Sequence, residues 1–143
     1  MNGSATVVRS GCMAKDADMI LSEFILLGIG GKELSEENAA QTAKALNIIQ
    51  PDFIRVHATG IKLESKLGEF VRDGSFTLQS EEEIVIEQKL FLQQLHEMDS
   101  YYVNEHIVNL LLEVRGNLRT EKQEMLSTID RFLTLPPDER LLF

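Results

Sequence analysis

The stretch Ser22-Glu23-Phe24-Ile25-Leu26-Leu27-Gly28-Ile29-Gly30-Gly31-Lys32-Glu33-Leu34-Ser35-Glu36-Glu37 constrains the fold more than any other part of the chain. An apolar run enters a turn holding three glycines and leaves it into the acidic start of a helix. That is a strand-to-helix junction with almost no side chain at its corner, a place where ligands often approach backbone. The run from Leu21 to Leu27 is apolar without alternation, which predicts a strand buried on both faces. Ser35 is the expected N-cap, and Glu36 and Glu37 stand where the helix dipole favours negative charge. Ala39, Ala43, Leu46 and Ile49 follow as one amphipathic stripe until Pro51 stops it.

Phe53 to Ala58 reads as a second strand, with Ile54, Val56 and Ala58 on one face and Phe53, Arg55 and His57 on the other. Strand, helix and strand within ~35 residues form a βαβ unit, which predicts parallel strands joined by a right-handed crossover. The chain then turns helical. Leu63, Leu67, Phe70 and Val71 predict a short helix closed near Gly74. Ser80 and Glu83 make a capping box for a long helix. Ile84, Phe91, Leu95 and Met98 share one of its faces and Ile86 and Leu90 another, so it is expected to pack on two sides. A further helix is expected at Ile107 to Val114. Thr120 and Gln123 repeat the capping pattern before a stripe of Met125, Ile129, Phe132 and Leu133, and Pro136-Pro137 ends it. Met1 to Ser10 is expected to fray, and Met13 to Ile20 fits either a helical end or a loop. Leu141-Leu142-Phe143 is an apolar ending that should either dock or mark a cut.

The fold class that follows is α/β: one parallel βαβ unit followed by three or four helices, in a single domain over 21–143 behind an N-terminal segment, 1–20, without an assigned element. Two parallel strands are not a stable sheet alone. Either the N-terminal segment adds a strand, or the free edge pairs with another copy, or the unit belongs to a larger sheet.

Charge and cysteine content exclude several classes. A net charge of -9 disfavours non-specific binding to nucleic acid or anionic membrane, which needs a surplus of Lys and Arg. No run approaches the ~18–20 apolar residues of a membrane helix. Cys12 is the one cysteine, too few for an intrachain disulfide or a multi-thiolate metal site. With no export signal either, a cytoplasmic location is expected. His57, His96 and His106 show no metal-ligand spacing, and no metal site is expected. No nucleophile–base pair presents itself, so a hydrolase or transferase built on the glycine turn is disfavoured. Glu105-His106 beside Tyr101-Tyr102 is the best polar cluster of the C-terminal half. There a carboxylate could hold a histidine for acid–base work, or the pair could simply orient a loop.

Several segments, in order, carry a family likeness. Phe24 to Glu33, with Thr42-Ala43-Lys44-Ala45-Leu46-Asn47 and Gln50-Pro51-Asp52-Phe53-Ile54-Arg55-Val56, resembles the fifth strand, glycine turn, helix and sixth strand of the radical SAM barrel. Gly74-Ser75-Phe76-Thr77-Leu78-Gln79-Ser80-Glu81-Glu82-Glu83 resembles the start of the C-terminal helix in one subgroup of that superfamily. Asn104-Glu105-His106, Asn109 and Arg115-Gly116-Asn117-Leu118 resemble its Ser-Asp-His…Asn…Gly-x-Leu segment. The likeness spans Ile20 to Leu133 and points to the oxygen-independent coproporphyrinogen oxidase and methylthiotransferase type of barrel.

The resemblance implies a partial (βα) barrel, and for a complete family member S-adenosylmethionine and a [4Fe-4S] cluster. It implies that Leu27, Gly28, Ile29, Gly30 and Gly31 help form the adenine pocket and that Arg55 and His57 face the barrel interior near substrate or S-adenosylmethionine as further cofactor-binding residues, the alternative being a solvated or loop-facing pair. The departures bear on activity. The family holds its cluster on a Cys-x3-Cys-x2-Cys loop, and this chain has one cysteine in another context. The first four barrel strands have no counterpart, and Thr59 to Leu67 replaces the family's Gly-Thr-Pro-containing loop. The expectation is a C-terminal segment of a radical SAM protein, a truncated or split product, with no catalytic residue and no cofactor bound by this chain alone. Its expected partner is the missing N-terminal barrel half or another copy of itself. The alternative is a non-catalytic interaction or oligomerisation domain.

Overall fold

The computed structural model describes residues 3–62 and 64–140. The expectations placed on Leu63 and on Leu141-Leu142-Phe143 lie outside those residues. The described elements run α1 (Gly3–Asp16), β1 (Ser22–Leu27), α2 (Ser35–Ile49), β2 (Phe53–Ala58), α3 (Lys66–Arg72), α4 (Glu81–Gln94), β3 (Tyr101–Val103), β4 (Gly116–Asn117) and α5 (Lys122–Thr134). The fold is α/β, with an open, mostly parallel sheet in the order β1-β2-β3-β4. β1 pairs β2 in parallel from Ser22 beside Phe53 to Leu27 beside Ala58, as the βαβ pattern requires. β3 continues in parallel on β2, with Phe53 beside Tyr101 and Arg55 beside Val103, and β4 closes antiparallel on β3.

One layer of helices covers one face of this sheet. Ile25, Leu27, Ile54, Val56 and Tyr102 point into a single core with Ala39, Ala43 and Leu46 of α2, Val85, Phe91 and Leu92 of α4, and Met125, Ile129 and Phe132 of α5. The alanines of α2 let it lie close to its neighbours. Burial of the α2 and α5 stripes follows the sequence pattern, and the Ser80–Glu83 capping box forms as expected. Among the described residues no helix covers the other face, which is bare except at buried Val103 and where His106 lies against His57. Phe24 is 65% exposed, Leu26 47% and Tyr101 41%, with Arg55 and His57 half-buried among them.

This corrects the expectation that β1 is buried on both faces: its burial alternates, because helices pack on one side only. Other expectations are corrected too. Met1 to Ser10 does not read as frayed where it is described: α1 runs from Gly3. Gly11, whose absent side chain leaves room for Ile49, lets it press on α2, and Lys15 bonds Asp52 at 2.7 Å. Ser35 is not the N-cap; Leu34 is, and the Ser35 hydroxyl turns to Glu87. Thr120 does not cap α5, whose N-cap is Glu121 without a side-chain cap bond. Glu121 instead accepts from the Asn117 N–H at 2.7 Å, beneath Gly116.

α4 lies against both α2 and α5, with Leu90 packed on the core as expected, while Ile86 stays 40% exposed. Ile107 to Val114 is loop and not helix, and the segments on either side of it supply two strands the pattern did not reveal. The physical reason lies in two asparagines. Where β3 ends, the side chain of Asn109 takes its place beside β2. It accepts from the Ala58 N–H at 2.8 Å and donates to the Val56 carbonyl at 2.6 Å and to Asn104 Oδ1 at 2.6 Å. Buried Asn104 donates in turn to the carbonyls of Leu110 and Leu111. Side-chain amides thus satisfy backbone groups that a helix over the same residues would leave unpaired.

Candidate functional site

Two places gather the residues singled out from the sequence. The first is the glycine corner after β1. Gly28 and Gly31 adopt left-handed φ of 80° and 63°, which glycine tolerates and other residues resist. A side chain on Gly31 would stand 2.9 Å from the Thr77 carbonyl, so the turn is packed against the segment before α4. Beneath it lies Glu87, fully buried on α4. Its carboxylate accepts from the Gly28 N–H at 3.0 Å, from Ser35 Oγ at 2.7 Å and from Asn38 Nδ2 at 2.7 Å. Asn38 also donates to the Leu26 carbonyl, and the Leu27 carbonyl takes both the N–H and the hydroxyl of Thr59. The Gly28 N–H and the Leu26 and Leu27 carbonyls are therefore committed inward. Leu27, Gly28 and Gly31 are buried, while Ile29, 40% exposed, and half-buried Gly30 face outward. Glu87 was not legible as a site residue, though one signal existed: it stands three residues after Ile84 and four before Phe91, on the buried stripe itself.

The second place is a hollow of about 190 Å³ on the bare sheet face, lined by Phe24, Arg55, Val56, His57, Val103, Glu105 and His106. Strand alternation puts Arg55 and His57 there, and the loop after β3 folds His106 back over them. The two imidazole centroids are 4.3 Å apart at 32°, and Phe24 meets His57 edge-on at 5.3 Å. Arg55 Nε donates to Ser22 Oγ at 3.0 Å. Burial holds the His57 pKa below the usual histidine range, and the charges of His106 and Arg55 push it the same way. Glu105 does not hold His106 as a carboxylate–histidine pair; it binds Arg115 at 3.1 Å. Tyr102 points to the other side, where Gln88 donates to its hydroxyl and burial raises its pKa. The structure thus joins Arg55, His57 and His106, leaves His96 elsewhere, and puts none of the three glycines on the wall of this hollow.

No family model, curated protein or solved structure matches the chain. The donor set does not fit an iron–sulfur cluster: Cys12 is the one thiol, on α1, and no group of three His, Cys, Asp or Glu among the described residues is placed to hold a metal ion. For S-adenosylmethionine the fit is partial. The Gly28 N–H is taken by Glu87 and the Gly31 N–H by the Gly28 carbonyl, whereas Ile29 and the bare sheet face are accessible. Among the described residues no helix is long and apolar enough to cross a membrane.

Proposed function

We propose that this chain is a non-catalytic segment of a radical SAM-type barrel, supplying consecutive strands of its wall, with the bare sheet face turned to the barrel interior. One observation carries the reading. Three strands lie side by side in chain order, all parallel, with the helices of the core on one face only. An open doubly wound sheet covers both faces, whereas an arc of a (βα) barrel has helices outside and a lining of side chains inside. Phe24, Leu26, Arg55, His57 and Tyr101 are such a lining, and their exposure calls for the remaining strands, whether from this polypeptide or another.

On this reading the strand and turn Leu27 to Gly31 border the adenine side of an S-adenosylmethionine pocket, and Arg55 and His57 face its contents. The chain's own residues shape and line the cavity. The radical-generating cluster needs thiolates that this chain lacks, so they belong to the part that completes the barrel. A cytoplasmic location agrees with this, since such clusters and a lone free thiol suit a reducing compartment. A second reading, a homo-oligomerisation domain, draws on the free edge of β1 and the apolar bare face next to it.

The DNA adjoining the coding region separates the two. In the same frame or in the neighbouring gene, the barrel reading predicts a Cys-x3-Cys-x2-Cys segment followed by alternating strand and helix patterns. A neighbourhood without one, together with a dimer in light scattering, would replace it with the oligomerisation reading.

A further inference from the structure

The hollow on the bare face has a charge that the rest of the chain does not share. The net charge is -9, yet Arg55, His57 and His106 converge on this one depression. The one carboxylate on its wall, Glu105, is already paired with Arg115. Arg55 uses Nε on Ser22, and among the described residues its two Nη groups make no hydrogen bond. A guanidinium lying over the Phe53 ring at 5.8 Å, with its two Nη groups unbonded and on the same strand face as His57, is a set of donors without an acceptor. Beside it stand Phe24, 65% exposed, and the buried side chain of Val103, an apolar wall. A cation is disfavoured here, because Arg55 would oppose it.

Resting on the reading of this face as a barrel interior, we propose that the hollow binds the oxyanion end of an amphiphilic organic acid. Arg55, His57 and His106 grip the carboxylate or phosphate, and Phe24 meets the apolar body. The volume, about 190 Å³, sets the scale. It lies below the roughly 300 Å³ at which whole-ligand pockets begin, so the hollow takes an end group and leaves the rest of the ligand along the sheet. Binding also relieves the mutual repulsion of the three basic groups. The anion should therefore draw a proton onto His57, and proton uptake becomes a signature of the site.

The test is NMR of the histidine ring carbons in the full chain, titrated with sodium phenylacetate, sodium acetate and sodium phosphate against a sodium chloride control. The expected result is a saturable shift of His57 and His106, but not of His96, with an apparent Kd of about 1–10 mM for phenylacetate. Phenylacetate should bind more tightly than acetate or phosphate, and the apparent pKa of His57 should rise. Arg55→Gln should weaken binding at least about tenfold, the effect of losing a charge-assisted pair. His106→Gln, on an exposed loop, gives a second variant independent of the strand. Three results would overturn the proposal: shifts no larger than those of chloride, shifts that survive both substitutions, or phosphate binding more tightly than phenylacetate. Failure here with a Cys-x3-Cys-x2-Cys segment present in the neighbouring DNA would remove the ligand and leave the barrel. Binding without that segment would do the reverse.

Discussion

Replacing Glu87 should damage this protein more than its single acidic side chain suggests. In Glu87→Ala three donors, one of them buried and two half-buried, lose a fully buried acceptor. They are not equally stranded. Asn38 keeps its bond to the Leu26 carbonyl, and the half-buried Ser35 hydroxyl is free to rotate toward another acceptor, so each loses about 1 kcal/mol. The Gly28 N–H belongs to a fixed left-handed turn and cannot re-aim, which costs about 1–3 kcal/mol more. With the cavity left by the side chain the sum is about 4 kcal/mol, a large part of the ~5–15 kcal/mol that holds a domain together. Glu87→Gln keeps the volume and one carbonyl oxygen for Gly28 and Asn38, and loses only the acceptor for Ser35, about 1 kcal/mol. Urea unfolding followed by circular dichroism reads both. At a slope of roughly 1.5–2 kcal/mol per molar, the midpoint should fall by about 2–2.5 M for Glu87→Ala and about 0.5–0.7 M for Glu87→Gln. The reasoning fails if Glu87→Ala unfolds within about 0.3 M of the wild type, or if the two variants are equally damaged.

Glycine positions should separate sharply in the same assay. Gly31→Ala combines a φ of 63° with a 2.9 Å approach to the Thr77 carbonyl and should cost about 2 kcal/mol or more, whereas Gly60→Ala, with open space around it, should stay within about 0.5 kcal/mol. Asn109→Leu should cost about 2–3 kcal/mol by orphaning the Ala58 N–H and the Val56 carbonyl, seen as a lower thermal midpoint and faster amide exchange at Ala58. The pH dependence follows from His57. Its folded pKa lies below that of the unfolded chain, so the unfolded state binds more protons. Stability is complete above the ordinary histidine value of 6.5 and declines as pH falls from there through the folded pKa. His57→Gln should flatten that decline, and an unchanged slope would contradict a His57 pKa lowered by burial and, beyond it, by the charges of His106 and Arg55. Finally, calorimetry of the chain alone with S-adenosylmethionine at ~0.1 mM should show no binding, because only part of a pocket wall is present.

The parallel βαβ unit was legible because its signals are local. Pro51 ends α2, Ala39 and Ala43 keep helical spacing, and Arg55 and His57 alternate with Ile54 and Val56. What escaped reading was non-local. β3 and β4 are three and two residues long, too short for a periodic pattern, and exist because β2 and the amides of Asn104 and Asn109 recruit the chain around them. α1 has little helical stripe of its own and is held by Ile49 against Gly11. The bare face was hidden for a related reason: Phe24 and Leu26 read as buried because they are apolar, and sequence does not say which face the helices choose. The hollow was half legible. Arg55 and His57 were visible as neighbours on one strand face, while the stacking of His106 on His57 depends on a loop whose path is set by two asparagines.

The central claim, that the bare face is an inner wall, is tested most directly by hydroxyl-radical footprinting of the purified chain and of the native material in cells that make it. In the purified chain Phe24, Leu26 and Tyr101 should be oxidised as readily as Ile48 and Met13, which are exposed on the helices. In the native material Ile48 and Met13 should still react, and Phe24, Leu26 and Tyr101 should be protected. Equal oxidation of all five residues in both samples would mean that nothing lines up against the sheet, and would contradict the barrel.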